Sequence, residues 1–310
     1  MIKYSFLIPA FNRVKDTKVA IESVLKQKIK NFEIIVLDDK STEDFEPLIK
    51  EYEGRVIFLR HEKNRGLSVS RNDLVKEAKG EYIIFLDNDD YIDEKFLEVI
   101  DHYLQDTIDL LSFTNDEIEN GKVIKIFHKV SSNIDKGINM LKKFISNSNN
   151  FDAACFYVYN RQFYVSNNFK FDENKHHEDF GLVPIIISKA EKMISIDKPL
   201  YHVVLTPNSI IRSKDKEKIK RNVYDKLSHY DKLFKYFSKY EGEIKDLTFS
   251  FLSNVVLNDV SKLEGKDKKE FIKELKKRKV HKYLMSNNLK RKIKKLLVSI
   301  NYNFYKMVTK

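Results

Sequence analysis

The feature that most constrains the fold is a regular exchange of two hydrophobic periodicities along residues 1–100. Tyr4-Ser5-Phe6-Leu7-Ile8, Phe32-Glu33-Ile34-Ile35-Val36-Leu37, Val56-Ile57-Phe58-Leu59 and Tyr82-Ile83-Ile84-Phe85-Leu86 are short runs rich in β-branched and aromatic residues. Such runs read as buried strands. Between them lie helix-like segments, with Val19, Ile21, Val24 and Leu25 on one side of the first, and residues 45–52 and 68–78 forming the next two. Strand–helix alternation with short links predicts a parallel sheet flanked by helices on both faces. In open sheets of this kind, ligands bind beyond the carboxyl ends of the strands.

All four strands end in chemically distinctive residues. The first ends at Pro9-Ala10-Phe11-Asn12-Arg13 and the second at Asp38-Asp39-Lys40-Ser41-Thr42; the third leads into Asn64-Arg65-Gly66-Leu67, and the fourth runs into Asp87-Asn88-Asp89-Asp90. Three carboxylates so close together repel one another unless a cation shares the site. Their oxygens suit a hard ion, Mn²⁺ or Mg²⁺, of the kind that shares its shell with substrate phosphates. The competing reading is an acidic turn capping a helix that begins near Asp93. Glycine-built phosphate cradles are excluded, because the first link lacks G-x-G-x-x-G and the chain has no G-x-x-x-x-G-K-[ST]. A divalent ion on Asp87 and Asp89 could screen a diphosphate instead. Asp38 or Asp39 can accept hydrogen bonds from a base or ribose, and Phe11 offers an apolar face to a planar base. Arg71 can pair with phosphate or with the acidic cluster. Ser41 or Thr42 would serve equally as a helix N-cap.

Composition sets the outer bounds. A chain of 310 residues with 22 Phe and 16 Tyr can bury a large core. The single Cys155 excludes an intramolecular disulfide and a cysteine metal cluster. No signal-peptide pattern and no stretch of about 18 apolar residues is present, which predicts a cytoplasmic protein. Residues 213–310 carry 27 Lys and Arg against 12 Asp and Glu, out of 57 and 46 in the whole chain, so the two ends differ in chemical character.

Ile8-Pro9-Ala10-Phe11-Asn12, Leu37-Asp38-Asp39-Lys40-Ser41, Asn64-Arg65-Gly66-Leu67-Ser68 with Arg71-Asn72, and Phe85-Leu86-Asp87-Asn88-Asp89-Asp90 follow in that order. Together they resemble the family 2 glycosyltransferases of the GT-A fold. The resemblance implies an α/β, Rossmann-like, mostly parallel sheet flanked by helices. It also implies a nucleotide-diphospho-sugar donor, most often a UDP-sugar, and inverting, metal-dependent transfer to a hydroxyl of a glycan or lipid-linked acceptor, as in cell-surface polysaccharide synthesis. By carry-over, Pro9, Phe11, Asp39 and Arg71 line the nucleoside pocket, and Asn12, Asp38, Asn64 and Asn88 are further donor-binding candidates. Asp87 and Asp89 are the D-x-D pair, with Asp89 the direct metal ligand. Phe11 stands where Tyr is frequent, Lys40 where Gly is frequent and Ser70 where Ala is frequent; the first change removes a hydroxyl from the base-binding face.

Phe171-Asp172-Glu173-Asn174-Lys175-His176-His177-Glu178-Asp179-Phe180 resembles the family's second conserved region, an acidic pair ahead of a mostly apolar helix from Phe180 to Ile187. The resemblance implies Asp179 as the catalytic base, with Glu178 holding the acceptor or a neighbouring loop. A helix N-terminus favours acids by itself, which is the competing reading. Tyr201-His202 with Pro207-Asn208-Ser209-Ile210 resembles the fold's closing segment and makes His202 the third metal candidate. His176 and His177 lack H-E-x-x-H spacing and do not suggest zinc.

The expected organisation is a catalytic domain over 1–212, with a nucleotide-sugar half (1–100) and an acceptor half (101–212), followed by a basic helical region over 213–310. In the acceptor half, Phe156-Tyr157-Val158-Tyr159 suits sugar stacking and core packing alike. In the helical region Ile219, Val223, Leu227, Tyr230, Phe234 and Phe237 recur at helical spacing, as do Leu247, Phe251, Val255 and Leu263 more loosely. From Asn287 onward, Leu289, Ile293, Leu296, Leu297, Ile300 and Phe304 form one stripe, with Lys290, Arg291, Lys292, Lys294 and Lys295 mostly facing away. Such a helix suits an anionic membrane surface at the inner face of the plasma membrane, or else a solvated face on a packed helix. Nucleic-acid binding is not expected, since no aromatics interleave the bases. The rival readings are a sugar-phosphate nucleotidylyltransferase, which would need a Gly-rich basic loop near the N-terminus, and a non-catalytic basic membrane-binding protein.

Overall fold

The computed structural model describes residues 1–104, 107–205, 215–285 and 289–308, with side chains for all of these except 289, 290 and 306–308. The expected domain boundary at 212/213 and the segment Pro207-Asn208-Ser209-Ile210 lie outside the described residues. The chain divides into two compact units, Met1–Asn174 with Leu182–Pro207, and Lys175–Gly181 with Asn208–Lys310. Among the described residues no helix is long and apolar enough to cross a membrane.

The first unit is built on one ten-stranded sheet. Its parallel half has the order β3 (Ile57–Arg60), β2 (Phe32–Asp38), β1 (Tyr4–Ala10), β4 (Tyr82–Phe85). β1 is buried along its whole length, as expected for a central strand covered on both faces. The crossovers are α1 (Val14–Leu25), α2 (Glu46–Glu51) and α3 (Leu67–Glu77), each within a few residues of the sequence expectation.

Beyond β4 the sheet is mixed. A short strand β5 (Tyr91–Ile92) and helix α4 (Phe96–Tyr103) follow β4 in the chain, then β6 (Leu110–Glu119), β7 (Lys122–Ile126), β8 (Ser132–Asp135) and α5 (Gly137–Ser146). β9 (Tyr157–Asn160) runs antiparallel between β4 and β6, and α6 (Arg161–Ser166) follows it. Helix α7 (Glu178–Lys189) leads to β10 (Met193–Val204), which lies parallel to β6 and antiparallel to β5. Phe156-Tyr157-Val158-Tyr159 is entirely buried, so these aromatics are core and not a sugar platform. The Tyr157 and Tyr159 hydroxyls donate to the Phe151 and Ala154 carbonyls, which satisfies their polar ends inside the core.

The second unit is helical. α8 (Lys216–Phe237) starts at an N-cap, Asp215, that accepts from the Glu217 and Lys218 amides. Its buried face is Val223, Leu227, Tyr230, Leu233 and Phe237, where each fully buried apolar side chain contributes about 1.5–3 kcal/mol. Phe234 stacks on Phe249 of α9 (Glu243–Asp259) with ring centroids 4.0 Å apart. The core face of α9 runs through Leu247, Leu252, Val256 and Leu257, while Phe251 and Val255 are half-buried. Arg278, just after α10 (Gly265–Lys277), makes a two-pronged ion pair with Asp231 at 2.8 Å.

The last helix, α11 (Leu289–Ile300), departs from expectation in its orientation. Among the described side chains of the helix Val298 is the buried one, and Lys294, expected to face outward, donates to Asn254 Oδ1 and lies 4.2 Å from the Tyr305 ring centroid. Ile293, Leu296 and Ile300 are apolar residues left exposed.

Candidate active site at the carboxyl edge of the sheet

The link after β1 turns through two consecutive left-handed residues, Asn12 (φ 55°) and Arg13 (φ 59°). Asn tolerates this conformation, but for Arg it costs about 1–2 kcal/mol and must be held by contacts. Those contacts come from the next link. The Asn12 amide donates to Ser41 Oγ at 2.6 Å, and Asn12 Oδ1 accepts from the Thr42 amide at 2.8 Å and the Glu43 amide at 3.3 Å. The turn leaves Phe11 48% exposed at the strand end, while Pro9 is buried within β1 opposite Leu37.

After β2, Asp38 Oδ1 accepts from the Ser41 amide at 2.8 Å, so an Asx-type turn closes the link. Asp39 anchors the third link. Its Oδ1 accepts from the Arg65 amide at 2.8 Å and faces His61 Nδ1 at 2.6 Å, and its Oδ2 accepts from the Gly66 amide at 2.7 Å. Asn64 Nδ2 donates to the Asp39 carbonyl at 3.1 Å. Gly66 takes φ 85°, a left-handed value that suits glycine, and α3 starts immediately after it. Asp39 is therefore a loop anchor, and a bound nucleoside would add to three donors already on its carboxylate.

The acidic turn after β4 is tied to the first link, to α1 and to α3 by two arginines and the Asn88 side-chain amide. Arg71, 1% exposed on α3, reaches Asp87 Oδ1 with Nη2 at 2.7 Å and lies near the Phe85 and Phe171 rings. A buried guanidinium needs such a partner, because desolvation without one is costly. Arg13 Nη1 pairs with Asp89 Oδ2, and Asn88 Nδ2 donates to the Asn12 carbonyl and to Thr17 Oγ1. Below the turn, the Tyr201 hydroxyl accepts from the Asp87 amide at 3.1 Å and donates to Asp90 Oδ2 at 2.9 Å. Burial, and then the Asp87 charge, push the Asp89 carboxyl above its ordinary range; burial with Asp87 and Asp89 does the same more strongly to Asp90.

That charge pattern fits a hard cation. Burial and the neighbouring Asp87 charge both disfavour the ionised Asp89 carboxylate, and a divalent ion beside it would relieve that penalty. Among the described residues no group of three or more His, Cys, Asp or Glu side chains could hold a metal ion. An ion here would complete its shell with substrate oxygens and water, as Mg²⁺ commonly does.

Asn12, Asp38, Asp39, Asn64, Arg71, Asp87, Asn88 and Asp89 are thus joined through one hydrogen-bonded edge. His202 stands apart. Successive residues of a strand point to opposite faces, and Tyr201 takes the face beneath the acidic turn. The His202 ring packs on Tyr91, its Nδ1 faces Asp116 Oδ1 at 2.7 Å and its Nε2 lies 3.9 Å from Asp93. It lines a separate groove with Val19, Glu22 and Ser23 of α1. Glu178 and Asp179 open α7 and belong to the second unit, Glu178 buried and Asp179 half-buried. There the preceding His176 amide donates to Asp225 Oδ2, and His229 Nε2 donates to the His176 carbonyl, both from α8.

Three contributors carried no role in the sequence reading: Arg13, His61 and Tyr201. Arg13 lies inside the first quoted link, and a basic residue beside an acid-rich site was the available signal. His61 and Tyr201 had none, since each acts through a strand or loop position fixed only by the fold.

The sequence model of "Glycosyl transferase family 2" matches residues 5–169. The poly(ribitol-phosphate) β-N-acetylglucosaminyltransferase TarP of Staphylococcus aureus is 42% identical over 108 residues, 33% of each chain. The UDP-Glc:α-D-GlcNAc-diphosphoundecaprenol β-1,3-glucosyltransferase WfaP of Escherichia coli is 40% identical over 123 residues, 39% of this chain and 48% of its own length. The chain spans 16% to 21% of the length of several other curated relatives. In fold it is similar to S. aureus TarS 1–349 solved with UDP-GlcNAc, with a TM-score of 0.64 and 19% identity, over 99% of this chain and 90% of that one.

Proposed function

The chain belongs to glycosyl transferase family 2, and from that premise we propose that it moves a sugar from a nucleotide-diphosphate donor, a UDP-sugar, to a hydroxyl of a glycan or lipid-linked acceptor with inversion. The observation that carries this reading is the hydrogen-bonded chain of strand-end links, the first link and Arg71 of α3 holding Asp87, Asn88 and Asp89, the second link holding the first and, through Asp39, the third. The relatives whose names give an activity use polymer or lipid-linked acceptors, which supports the acceptor class.

Each residue has a distinct task. Phe11 offers its exposed ring to the base, and Asp39 holds the link 64–66 against which the nucleoside would rest. Arg71 keeps Asp87 oriented from beneath. Asp87 and Asp89 would hold Mn²⁺ or Mg²⁺, whose charge stabilises the leaving diphosphate. Inverting transfer also needs a carboxylate to take the acceptor proton while its oxygen attacks the anomeric carbon. Asp179 is the proposed base and Glu178 its neighbour for holding the acceptor, on the resemblance of segment 171–180. His202, near Asp116 and Tyr91, is a weaker candidate for the metal than the two aspartates.

The test is nucleotide release across UDP-, GDP- and dTDP-sugars with and without Mn²⁺ or Mg²⁺, together with Asp179→Asn. Release from a UDP-sugar that requires metal, and a variant that binds UDP without transferring, are the expected results. Metal-independent release, or an undiminished rate in the variant, overturns the corresponding assignment.

A further inference from the structure

Helix α11 turns its apolar stripe outward. Ile293, Leu296 and Ile300 follow one another at three and four residues, one helical face, and are 47%, 61% and 65% exposed. The helix is held in its own unit by other residues, Val298 inside the core and Lys294 on Asn254. An apolar face in solvent is costly and marks an interaction surface. Its neighbours are cationic. An open hollow of 680 Å³ beside the stripe is lined by His281, Lys282, Lys292, Lys295, Leu296 and Ser299. Residues 275–310 contain no Asp or Glu at all.

We propose that this face docks on an anionic phospholipid surface, with Ile293, Leu296 and Ile300 entering the boundary between headgroups and acyl chains. Lys282, Lys292 and Lys295 meet the lipid phosphates. An exposed apolar stripe with lysines along its margin is how a helix lies in the plane of a membrane. Charge selects this occupant over a second copy of the chain, which would set the same lysines against each other. A nucleic acid would use the cations but leave the aliphatic stripe in water, since base stacking calls for aromatic rings. The docking does not depend on the transfer chemistry.

The experiment is flotation of the full chain with vesicles of phosphatidylcholine alone or mixed with phosphatidylglycerol, across a salt series. Binding to the mixed vesicles only, weakening as salt rises, is expected. Lys292→Glu with Lys295→Glu should lower binding by about tenfold or more, and Leu296→Ser with Ile300→Ser should also lower it. All four positions are exposed or at the surface, so thermal midpoints should stay near the parent value, which separates lost docking from lost folding. Three results overturn the proposal: no binding of the parent to mixed vesicles, equal binding to both compositions, or stripe variants that dissolve a dimer in light scattering while vesicle binding is unchanged.

Discussion

Arg13 Nη1 lies 2.5 Å from Asp89 Oδ2, so the carboxylate proposed for the cation is already paired with a guanidinium from the first link. Both side chains are about one-quarter to one-third exposed, which limits such a pair to about 0.5–1 kcal/mol. Arg13→Gln removes the competing charge. Mn²⁺ titration without donor should then tighten about two- to fivefold; unchanged or weaker binding would show that Arg13 does not compete with the ion.

Asp89→Asn keeps the shape of the turn and removes one negative charge. If Asp89 holds the ion that stabilises the leaving diphosphate, transfer should fall by about 10²–10³. Because burial disfavours its charged form, the fold should lose little, and the thermal midpoint should hold. A rate within a few-fold of the parent would refute the assignment.

Asp39→Ala strips one carboxylate from His61 and from the Arg65 and Gly66 amides together. Leaving such donors unsatisfied costs about 1–3 kcal/mol. Denaturant unfolding should show that loss, and UDP affinity should weaken with it because the link 64–66 is released. Stability equal to the parent would mean the link holds itself.

Gly181→Ala addresses the second unit. A Cβ there would lie 2.2 Å from His229 Nδ1, on a histidine that is fully buried. Overpacking of this kind costs about 1–3 kcal/mol or more. Calorimetry of the variant should show a lower melting transition; a parent-like melt would show that the His229 ring yields.

His177 gives the second unit a pH dependence. Burial, and next the Lys226 and Lys262 charges, push its pKa down to about 3. The unfolded chain therefore binds the proton more readily, so the stability it contributes is complete above about pH 6.5 and lost as pH falls toward about 3. His177→Asn tolerates the same left-handed backbone (φ 57°) and removes the titration. Its melting temperature should fall less steeply than the parent's between about pH 6.5 and 4.5; parallel slopes would count against the assignment.

The parallel half of the sheet was legible because each strand is an unbroken apolar run and each link ends in residues unsuited to a core. Legibility ended where side-chain direction decides. Tyr201 and His202 are neighbours of similar polarity, and strand parity alone sends one under the acidic turn and the other to the α1 groove. Arg13 reaches Asp89 only because the backbone turns left-handed at Asn12 and Arg13. The β9 aromatics fit core and sugar platform equally as letters; β9 pairing between β4 and β6 made them core. In α11 the periodic stripe was visible, but periodicity does not say whether a face turns inward or outward.

The stretch Lys175–Gly181 carries one further consequence. The chain enters the helical unit for these seven residues, returns to the sheet, and comes back for good after residue 207. His176 and Gly181 are fitted to Asn222, Asp225 and His229, roughly fifty positions later in the chain. The helical unit is thus not a detachable module. Recombination or trimming that exchanged residues 213–310 alone would leave Glu178 and Asp179, in the first turn of α7, without the α8 residues that seat His176 and Gly181 on either side of them, so the acidic pair and α8 should be inherited, or engineered, as one piece.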